Sequence, residues 1–294
     1  IRNKIYLSKT NAYIEEFVRK HKFNKTELIE IHNRPSYVNY IKKKLSTKII
    51  IFFHNDPLTM KGSVSKKDRM NLLKQCEKIV FNSKWCKSRF LNNLNTQHNN
   101  EKILVIPQST SQTKVNFKKK KNIISFIGKL NSSKGYDEFG KAIIKILNEF
   151  PNWSSIVIGD EPREKLIFKH KNLKLLGFKT NEFILKKLKE VSISVVPSKW
   201  DEPFGRSSLE ASSRGCALII SNKGGLLETT KDALIIKNIN YKNIFKKIKF
   251  LIKNKSARLR LQKKTFRNFF LTNEYVSKKI DNLRSKIIEK PTKL

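Results

Sequence analysis

Cysteine is scarce in this sequence and never paired at short spacing. The 294 residues include three cysteines, Cys76, Cys86 and Cys216, and no C-x-x-C pair. Disulfide frameworks and cysteine-based zinc sites need clustered or regularly spaced cysteines. The sequence therefore indicates neither kind of site and favours a reducing compartment, which we take to be the cytoplasm.

Long apolar runs are also lacking. The most apolar segments, KIIIFF (48–53) and CALII (216–220), have the length of strands. A membrane-spanning helix needs roughly 18 consecutive apolar residues. We therefore expect a soluble protein, and the apolar content of 38% is enough to bury the cores of two modest α/β domains.

Acidic residues are few, 24 against 63 basic ones, so the formal net charge is +39. The excess is spread evenly, +19 over residues 1–121 and +20 over residues 122–294. An even spread, with abundant Asn and Ile, is typical of compositional drift rather than of a nucleic-acid-binding patch. The sequence also has no zinc module, helix-turn-helix or aromatic stacking motif. We expect no specific nucleic acid partner, but a general attraction to anionic lipid headgroups or a phosphorylated acceptor.

From residue 122 onward, short β-branched runs alternate with segments whose apolar residues have helical spacing. Ile184, Leu188 and Val191 are predicted to share one helix face. The segment from about residue 241 is predicted to form amphipathic helix packed on this second lobe. Such alternation implies right-handed crossovers and a doubly wound parallel sheet. The predicted strands cover residues 122–128, 154–159, 173–177, 192–198 and 216–221.

The first 121 residues show the same pattern less regularly. The lysine run at 118–121 separates the two halves. We therefore predict an α/β protein with one Rossmann-like lobe over residues 1–121 and a second over residues 122–294. In the first lobe, strands are predicted at 27–32, 48–54, 78–83 and 103–107.

Unusual residues follow the predicted strand ends of the second lobe, where open α/β sheets bind ligands. Lys129 follows the first strand of this lobe directly, and Lys134 precedes Gly135 at the start of the next helix. Two ammonium groups beside a helix N-terminus suit a diphosphate, although each lysine alone is equally typical of solvated surface. After the fifth strand, Gly224 and Gly225 open a loop whose backbone N–H groups could also hold phosphate.

The stretch WDEPFGRSSLEASSRG (200–215) places Glu202 and Glu210 eight positions apart. Pro203 keeps Glu202 in an extended loop, and Gly205 lets the backbone turn closely past a ligand. Glu210 lies about one turn into the next helix, where its two oxygens suit the adjacent hydroxyls of a ribose. Glu202 suits the hydroxyls of a sugar in the same way, and surface glutamate on a helix is the alternative for both.

EPFGRSSLE followed by GCALIISNKGG closely resembles the donor-site signature of the group 1, or family 4, retaining glycosyltransferases of GT-B fold. That signature is a glutamate, seven residues, a second glutamate, a helix-ending glycine and a GG loop. The likeness is close over residues 122–230 and loose elsewhere. It implies two Rossmann-like lobes facing a cleft.

The resemblance also assigns roles to residues of the second lobe. Lys129 and Lys134, in GKLNSSKG, would bind the donor diphosphate. Glu202 would bind the donor sugar as a catalytic-site residue, and Glu210 would bind the ribose. Lys129 departs from the arginine usual in the family and lacks its bidentate fork. The donor sugar would also meet the backbone of Phe204 and Gly205.

In the first lobe, IEIHNRP and IIIFFHNDP resemble two strand-end histidine segments of the family. His54 matches the histidine that faces the donor sugar, as a catalytic-site residue, whereas His32 is expected to be structural. FNSKW (81–85) and VIPQS (105–109) match further landmarks, the latter without the usual Asn-Gly. Family members open with a strand and a glycine-rich loop, but this sequence has no glycine before Gly62 and no initiator Met. We therefore expect the first lobe to be incomplete by at least one βαβ unit.

The resemblance implies a retaining transferase of hexosyltransferase type that moves a sugar from a nucleotide diphosphate sugar to a glycan or lipid-linked acceptor. Surface polysaccharide and lipopolysaccharide are acceptors of this class, so peripheral contact with the inner face of the cytoplasmic membrane is expected. No cofactor is expected besides the nucleotide sugar, and no metal, because D-x-D is absent and cationic side chains can stabilise the leaving group. The alternatives are a non-catalytic truncated relative and a basic protein that binds nucleic acid or an anionic surface.

Overall fold

The chain folds into two compact units, each built on a parallel sheet. The computed structural model describes residues 9–23, 26–94 and 101–289. The first unit comprises the described residues up to Pro107 together with those from Ser277 onward, and the second comprises Gln108–Val276. The predicted α/β class with two parallel sheets is confirmed.

The first unit has a parallel sheet of four strands in the order β1-β2-β3-β4. The four strands lie where the sequence predicts them. Strand β2 has the sequence KIIIFF and is buried except at its first residue, as expected for a strand covered on both faces. The elements are α1 (Lys9–His21), β1 (Leu28–His32), α2 (Ser36–Lys44), β2 (Lys48–Phe53), α3 (Lys66–Gln75), β3 (Lys78–Phe81), α4 (Lys84–Leu91) and β4 (Ile103–Val105).

The second unit has a parallel sheet of six strands in the order β10-β9-β8-β5-β6-β7. The chain proceeds from β5 toward β7 and then returns to β8 on the other side of β5. Ligands of doubly wound sheets bind at the carboxyl ends of the strands where the order reverses, here β5 and β8. The elements are β5 (Lys121–Ile127), α5 (Tyr136–Glu149), β6 (Ser154–Ile158), β7 (Leu173–Leu175), α6 (Asn181–Leu188), β8 (Val191–Val196), α7 (Arg206–Ser213), β9 (Ala217–Ser221), β10 (Leu234–Ile236), α8 (Tyr241–Lys253), α9 (Lys255–Arg267) and α10 (Asn273–Ile288).

Two details of the second half differ from the sequence prediction. Val191 begins β8, where it pairs with Lys121 of β5, and is not part of a helix. Its apolar side chain fits the helical spacing of α6, but the helix ends at Leu188 and the β-branched run that follows Val191 enters the sheet. Strand β10 lies outside the strands predicted from the sequence.

The C-terminal helices divide between the two units. Helix α8 packs on α5 of the second unit through Ile244 and Ile248, as predicted. The end of α10 instead packs in the first unit, where Leu283 and Ile287 join a buried cluster with strands β2 and β3. The predicted extent of the second lobe, residues 122–294, differs from this division because an apolar helical stripe does not reveal which surface it will cover.

Candidate functional site

The loop between β5 and α5 carries the two lysines predicted to bind phosphate. Lys129 is exposed directly after β5, and Lys134 ends a short 3-10 helix that Asn131 caps, its Oδ1 accepting the Lys134 N–H at 3.0 Å. Gly135 has a φ of +72°, and a Cβ there would lie 2.1 Å from the carbonyl oxygen of Pro197. Only glycine therefore lets the start of α5 approach the end of β8 this closely.

Lys134 and Glu202 form an ion pair at the carboxyl ends of β5 and β8. Lys134 Nζ lies 2.6 Å from Glu202 Oε1, and the side chains are 29% and 11% exposed. The backbone beneath the pair is held by Ser133, whose carbonyl oxygen accepts the N–H groups of Lys199 and Trp200 at 2.9 Å. The fold thus joins two predicted site residues that are 68 positions apart.

The loop after β9 packs against the backbone of Glu202. Gly224 has a φ of +55°, and a Cβ there would lie 2.3 Å from the Glu202 carbonyl oxygen. The Gly225 N–H donates to the same oxygen at 2.6 Å. The expectation that both glycine N–H groups face a phosphate is therefore not met for Gly225, whose N–H instead fixes the position of Glu202.

Phe204 and Gly205 shape the turn into α7. The Phe204 side chain is buried against Leu209, Phe269 and Leu271, and the contact of its backbone with a donor sugar stays a prediction. Gly205 is the N-cap residue that precedes α7 and has a φ of +114°, and a Cβ there would meet the Leu226 side chain at 2.4 Å. This conformation requires glycine because L-residues rarely adopt it.

Glu210 is a buried carboxylate on α7, only 4% exposed. Its Oε1 accepts from Asn181 Nδ2 at 2.7 Å and from the Arg206 guanidinium at 3.0 Å. Burial raises the pKa of the Glu210 carboxyl, and Arg206 and Asn181 partly oppose that rise. Among the described residues Oε2 has no hydrogen-bond partner, so it is the oxygen left for a ligand hydroxyl.

Two contributors to this edge were not singled out in the sequence. Asn181 begins α6 and orients Glu210, and Glu164 accepts both the N–H and the hydroxyl of Ser132 in the loop before α5. Both follow strands at the carboxyl edge, Asn181 after β7 and Glu164 after β6. That position was the available signal, but Asn and Glu are too common after strands to be selected without the tertiary contacts.

In the first unit, the side chains of His54 and His32 lie side by side. His32 Nδ1 is 2.9 Å from His54 Nε2, and the backbone N–H of His54 donates to Asn33 Oδ1 at 2.7 Å. Burial lowers the pKa of His54 to about 4, with a further contribution from His32. His54 Nδ1 is buried and has no partner among the described residues. His54 is thus a neutral, oriented imidazole at neutral pH, and its catalytic role stays a prediction.

Neither a metal site nor a membrane span is found within residues 9–23, 26–94 and 101–289. Within those ranges, no three His, Cys, Asp or Glu side chains are grouped so as to hold a metal ion. The same ranges include no helix with the length and apolar character needed to cross a membrane. The three cysteines are buried thiols, and none forms a disulfide.

Curated relatives match parts of the chain or most of it. An uncharacterized 42.6 kDa protein of the cps region of Klebsiella pneumoniae is 32% identical over 122 residues, 40% of this chain and 30% of that protein. Spore coat protein SA of Bacillus subtilis is 25% identical over 289 residues, 86% of this chain and 76% of that protein. The alignment with the Klebsiella protein thus spans less than a third of that protein's length.

Solved structures share the fold at low sequence identity. The crystal structure of Anabaena HepE in complex with UDP-glucose superposes with a TM-score of 0.75 at 14% identity, covering 94% of this chain and 83% of that one. The two parallel sheets therefore match the GT-B arrangement of glycosyltransferases. The family model for group 1 glycosyl transferases matches residues 107–267, more than half of the chain. By this match, and by the EPFGRSSLE segment within it, the chain belongs to the group 1 glycosyltransferases.

Proposed function

We propose that the second unit binds a nucleotide diphosphate sugar and that the protein transfers the sugar to a glycan or lipid-linked acceptor with retention at the anomeric carbon. In this proposal Lys129 and Lys134 hold the diphosphate and Glu210 holds the ribose. Glu202 and the backbone of Phe204 and Gly205 hold the transferred sugar.

The single observation that carries the proposal is the placement of Lys134 and Glu202 together at the carboxyl ends of β5 and β8. These strands are the point at which the strand order reverses, and doubly wound sheets bind nucleotides there. One cation and one carboxylate at this point suit the two ends of a sugar diphosphate, the phosphate and the hydroxyls. Glu210, on the helix that follows, adds an acceptor oxygen for the ribose.

The chemistry requires stabilisation of a leaving nucleoside diphosphate. The bond between the anomeric carbon and the diphosphate oxygen breaks, the oxygen of the acceptor hydroxyl forms the new glycosidic bond, and the hydroxyl proton passes to the departing diphosphate. Negative charge develops on the departing diphosphate, and fixed cations at that point stabilise it. Lys129 and Lys134 supply that charge in the proposal, with the first turn of α5 beside them. The sugar hydroxyls are held by Glu202, which keeps the anomeric carbon in place.

Retention and the class of acceptor rest on the sequence likeness alone. A glycan or lipid-linked acceptor at a membrane surface is consistent with a formal net charge of +39, because anionic headgroups attract a cationic protein. The Klebsiella relative is described as a protein of a cps region, and the HepE structure contains UDP-glucose. UDP sugars are therefore the first donors to test.

Calorimetry tests donor binding without requiring turnover. UDP, GDP and ADP, each with a matching nucleotide sugar, are titrated into wild type, Lys134→Ala and Glu210→Ala. We expect Glu210→Ala to lose about 1.5 to 3 kcal/mol of binding free energy for both the nucleotide and its sugar derivative. Lys134→Ala is also expected to lose affinity for the nucleotide and for its sugar derivative, because each of these ligands carries the diphosphate.

Lys253→Ala is the matched control for the loss of one positive charge. Lys253 is exposed at the C-terminal end of α8, away from the carboxyl ends of the strands. Its variant should bind every nucleotide as wild type does. Unchanged nucleotide affinity in Glu210→Ala, with an intact circular dichroism spectrum, would contradict the ribose assignment. Failure of all six ligands to bind wild type would contradict donor binding.

A further inference from the structure

The Lys134–Glu202 ion pair joins two side chains that the proposed function assigns to opposite ends of the donor. Lys134 is assigned to the diphosphate and Glu202 to the transferred sugar, yet their charged atoms are 2.6 Å apart. A lysine bound to a carboxylate at this distance has its charge largely neutralised toward any other anion. A diphosphate that binds Lys134 therefore competes with Glu202 for the charge of the ammonium group.

The surroundings make this competition a local, side-chain event. The Glu202 carbonyl is fixed by the Gly225 N–H, and the loop before Glu202 is fixed by the Ser133 carbonyl. The backbone on both sides of the pair is thus held, while Lys134 keeps 29% of its side chain exposed. The lysine can turn toward a ligand without rearrangement of the loops.

Displacement from Lys134 leaves Glu202 as a largely buried carboxylate, with 11% of its side chain exposed. The described residues offer Glu202 no second cation within bonding distance. A buried charge that loses its partner is costly unless another donor replaces it. The hydroxyls of a bound sugar are such donors, but a free nucleoside diphosphate has none at that position.

We propose that the Lys134–Glu202 pair makes the donor site discriminate against free nucleoside diphosphate. The nucleotide sugar supplies a new partner for each member of the ion pair, because its phosphate binds Lys134 and its sugar hydroxyls bind Glu202. The nucleoside diphosphate that remains after transfer supplies a partner for Lys134 only and leaves the Glu202 carboxylate unpaired. Glu202 thereby weakens binding of the leaving product and limits product inhibition. This inference rests on the proposed function and adds a specificity role for Glu202.

The test uses inorganic pyrophosphate as a probe that carries neither base nor sugar. Its affinity is measured by calorimetry for wild type and Glu202→Gln, the variant that keeps the shape of the side chain and removes its charge. We expect Glu202→Gln to bind pyrophosphate about three- to tenfold more tightly, because Lys134 is no longer neutralised. In the Lys134→Ala background the same substitution should change the affinity less than twofold.

Asp201→Asn is the matched control for a general change in charge. Asp201 is the exposed neighbour of Glu202, and no ion pair joins it to Lys134. Its variant should change pyrophosphate affinity less than twofold. An equal gain in Asp201→Asn and Glu202→Gln would overturn the inference, since the effect would then be simple loss of negative charge. Glu202→Asp, which shortens the side chain by one methylene, should give a smaller gain and serves as the test if Glu202→Gln does not fold.

The same variants separate failure of this inference from failure of the proposed function. With the nucleotide and nucleotide sugar that bind best, the preference for the sugar derivative should fall at least threefold in Glu202→Gln. If wild type binds nucleotides and Lys134→Ala weakens them, but Glu202→Gln leaves pyrophosphate affinity unchanged, the inference alone is wrong. If no nucleotide binds wild type, the proposed function is wrong and the inference falls with it.

Discussion

His32 Nδ1 lies 2.9 Å from His54 Nε2, so the two strand-end histidines of the first unit form a hydrogen-bonded pair. One of the two facing nitrogens must carry the shared proton, and protonation of both rings would place like charges in contact. His32 also stacks on Phe52, and its other ring nitrogen is 3.8 Å from Glu30, whose carboxylate binds Arg284. His32 therefore orients His54 as well as ending β1.

The first prediction concerns the pH dependence of stability. Burial lowers the pKa of folded His54 to about 4, below the ordinary value of 6.5. Between these two values the unfolded chain binds more protons, so the stability due to neutral His54 is complete above pH 6.5 and is lost as pH falls toward 4. Urea unfolding at several pH values should show that the free energy of unfolding falls less over this pH window in His54→Gln than in wild type.

NMR titration of the histidine ring protons supplies the independent check. His32→Asn removes the neighbouring charge and should raise the pKa of His54 only in part, because burial is the larger cause. A His54 that titrates near 6.5 in the folded wild type would show that the ring is solvated and that the pairing with His32 does not persist in solution.

The second prediction concerns Asn181, which orients Glu210. Removal of its hydrogen bond in Asn181→Ala should weaken nucleoside diphosphate binding by about 1 to 2 kcal/mol, less than Glu210→Ala. The bond also opposes the rise in the pKa of Glu210 that burial causes, so its loss should raise that pKa further. Because the proposed ribose contact uses the charged carboxylate, the fall in affinity on acidification should begin at a higher pH in the variant. Calorimetry over a pH series measures both effects.

Thr180→Ala is the control for damage to the start of α6. The Thr180 hydroxyl caps this helix through the Phe183 N–H but does not contact Glu210. Its variant should lose some stability and keep the nucleotide affinity of wild type. Equal losses of affinity in Thr180→Ala and Asn181→Ala would mean that the helix start, and not the bond to Glu210, is responsible.

The third prediction compares two glycines that share a left-handed conformation. Gly177 has a φ of +65° and open space where a Cβ would lie, whereas at Gly224 the Cβ would be 2.3 Å from the Glu202 carbonyl oxygen. Gly177→Ala should cost about 1 to 2 kcal/mol of stability, from the backbone conformation alone. Gly224→Ala should cost clearly more and should also displace Glu202.

Urea unfolding of both variants and nucleotide-sugar binding by Gly224→Ala check this comparison. The alanine at 224 should reduce affinity for the nucleotide sugar more than for the nucleoside diphosphate, because it moves the carboxylate assigned to the sugar. Equal unfolding free energies for the two variants would show that the loop after β9 is not packed on Glu202 as described.

The strands of the second unit and the positions of several candidate site residues follow from local sequence pattern. The β-branched runs of β5, β6, β8 and β9 specify buried parallel strands, because such side chains fit a sheet covered on both faces. The positions of Lys129 and Glu202 in the loops that follow β5 and β8 then place them at the carboxyl edge of the sheet without knowledge of any contact. The glycines at 205 and 224 likewise signal backbone conformations that only glycine adopts readily.

The pairings at this edge were decided by the tertiary structure alone. The bonds from Lys134 to Glu202, from Asn181 to Glu210 and from Gly225 to the Glu202 carbonyl join residues 23 to 68 positions apart. Periodicity predicts which face of an element is apolar, but not which neighbour each polar group will meet. The same reason explains why the end of α10, with Arg284 on Glu30, belongs to the first unit. An amphipathic stripe predicts that one face of a helix is buried. Which surface covers that face depends on the tertiary structure.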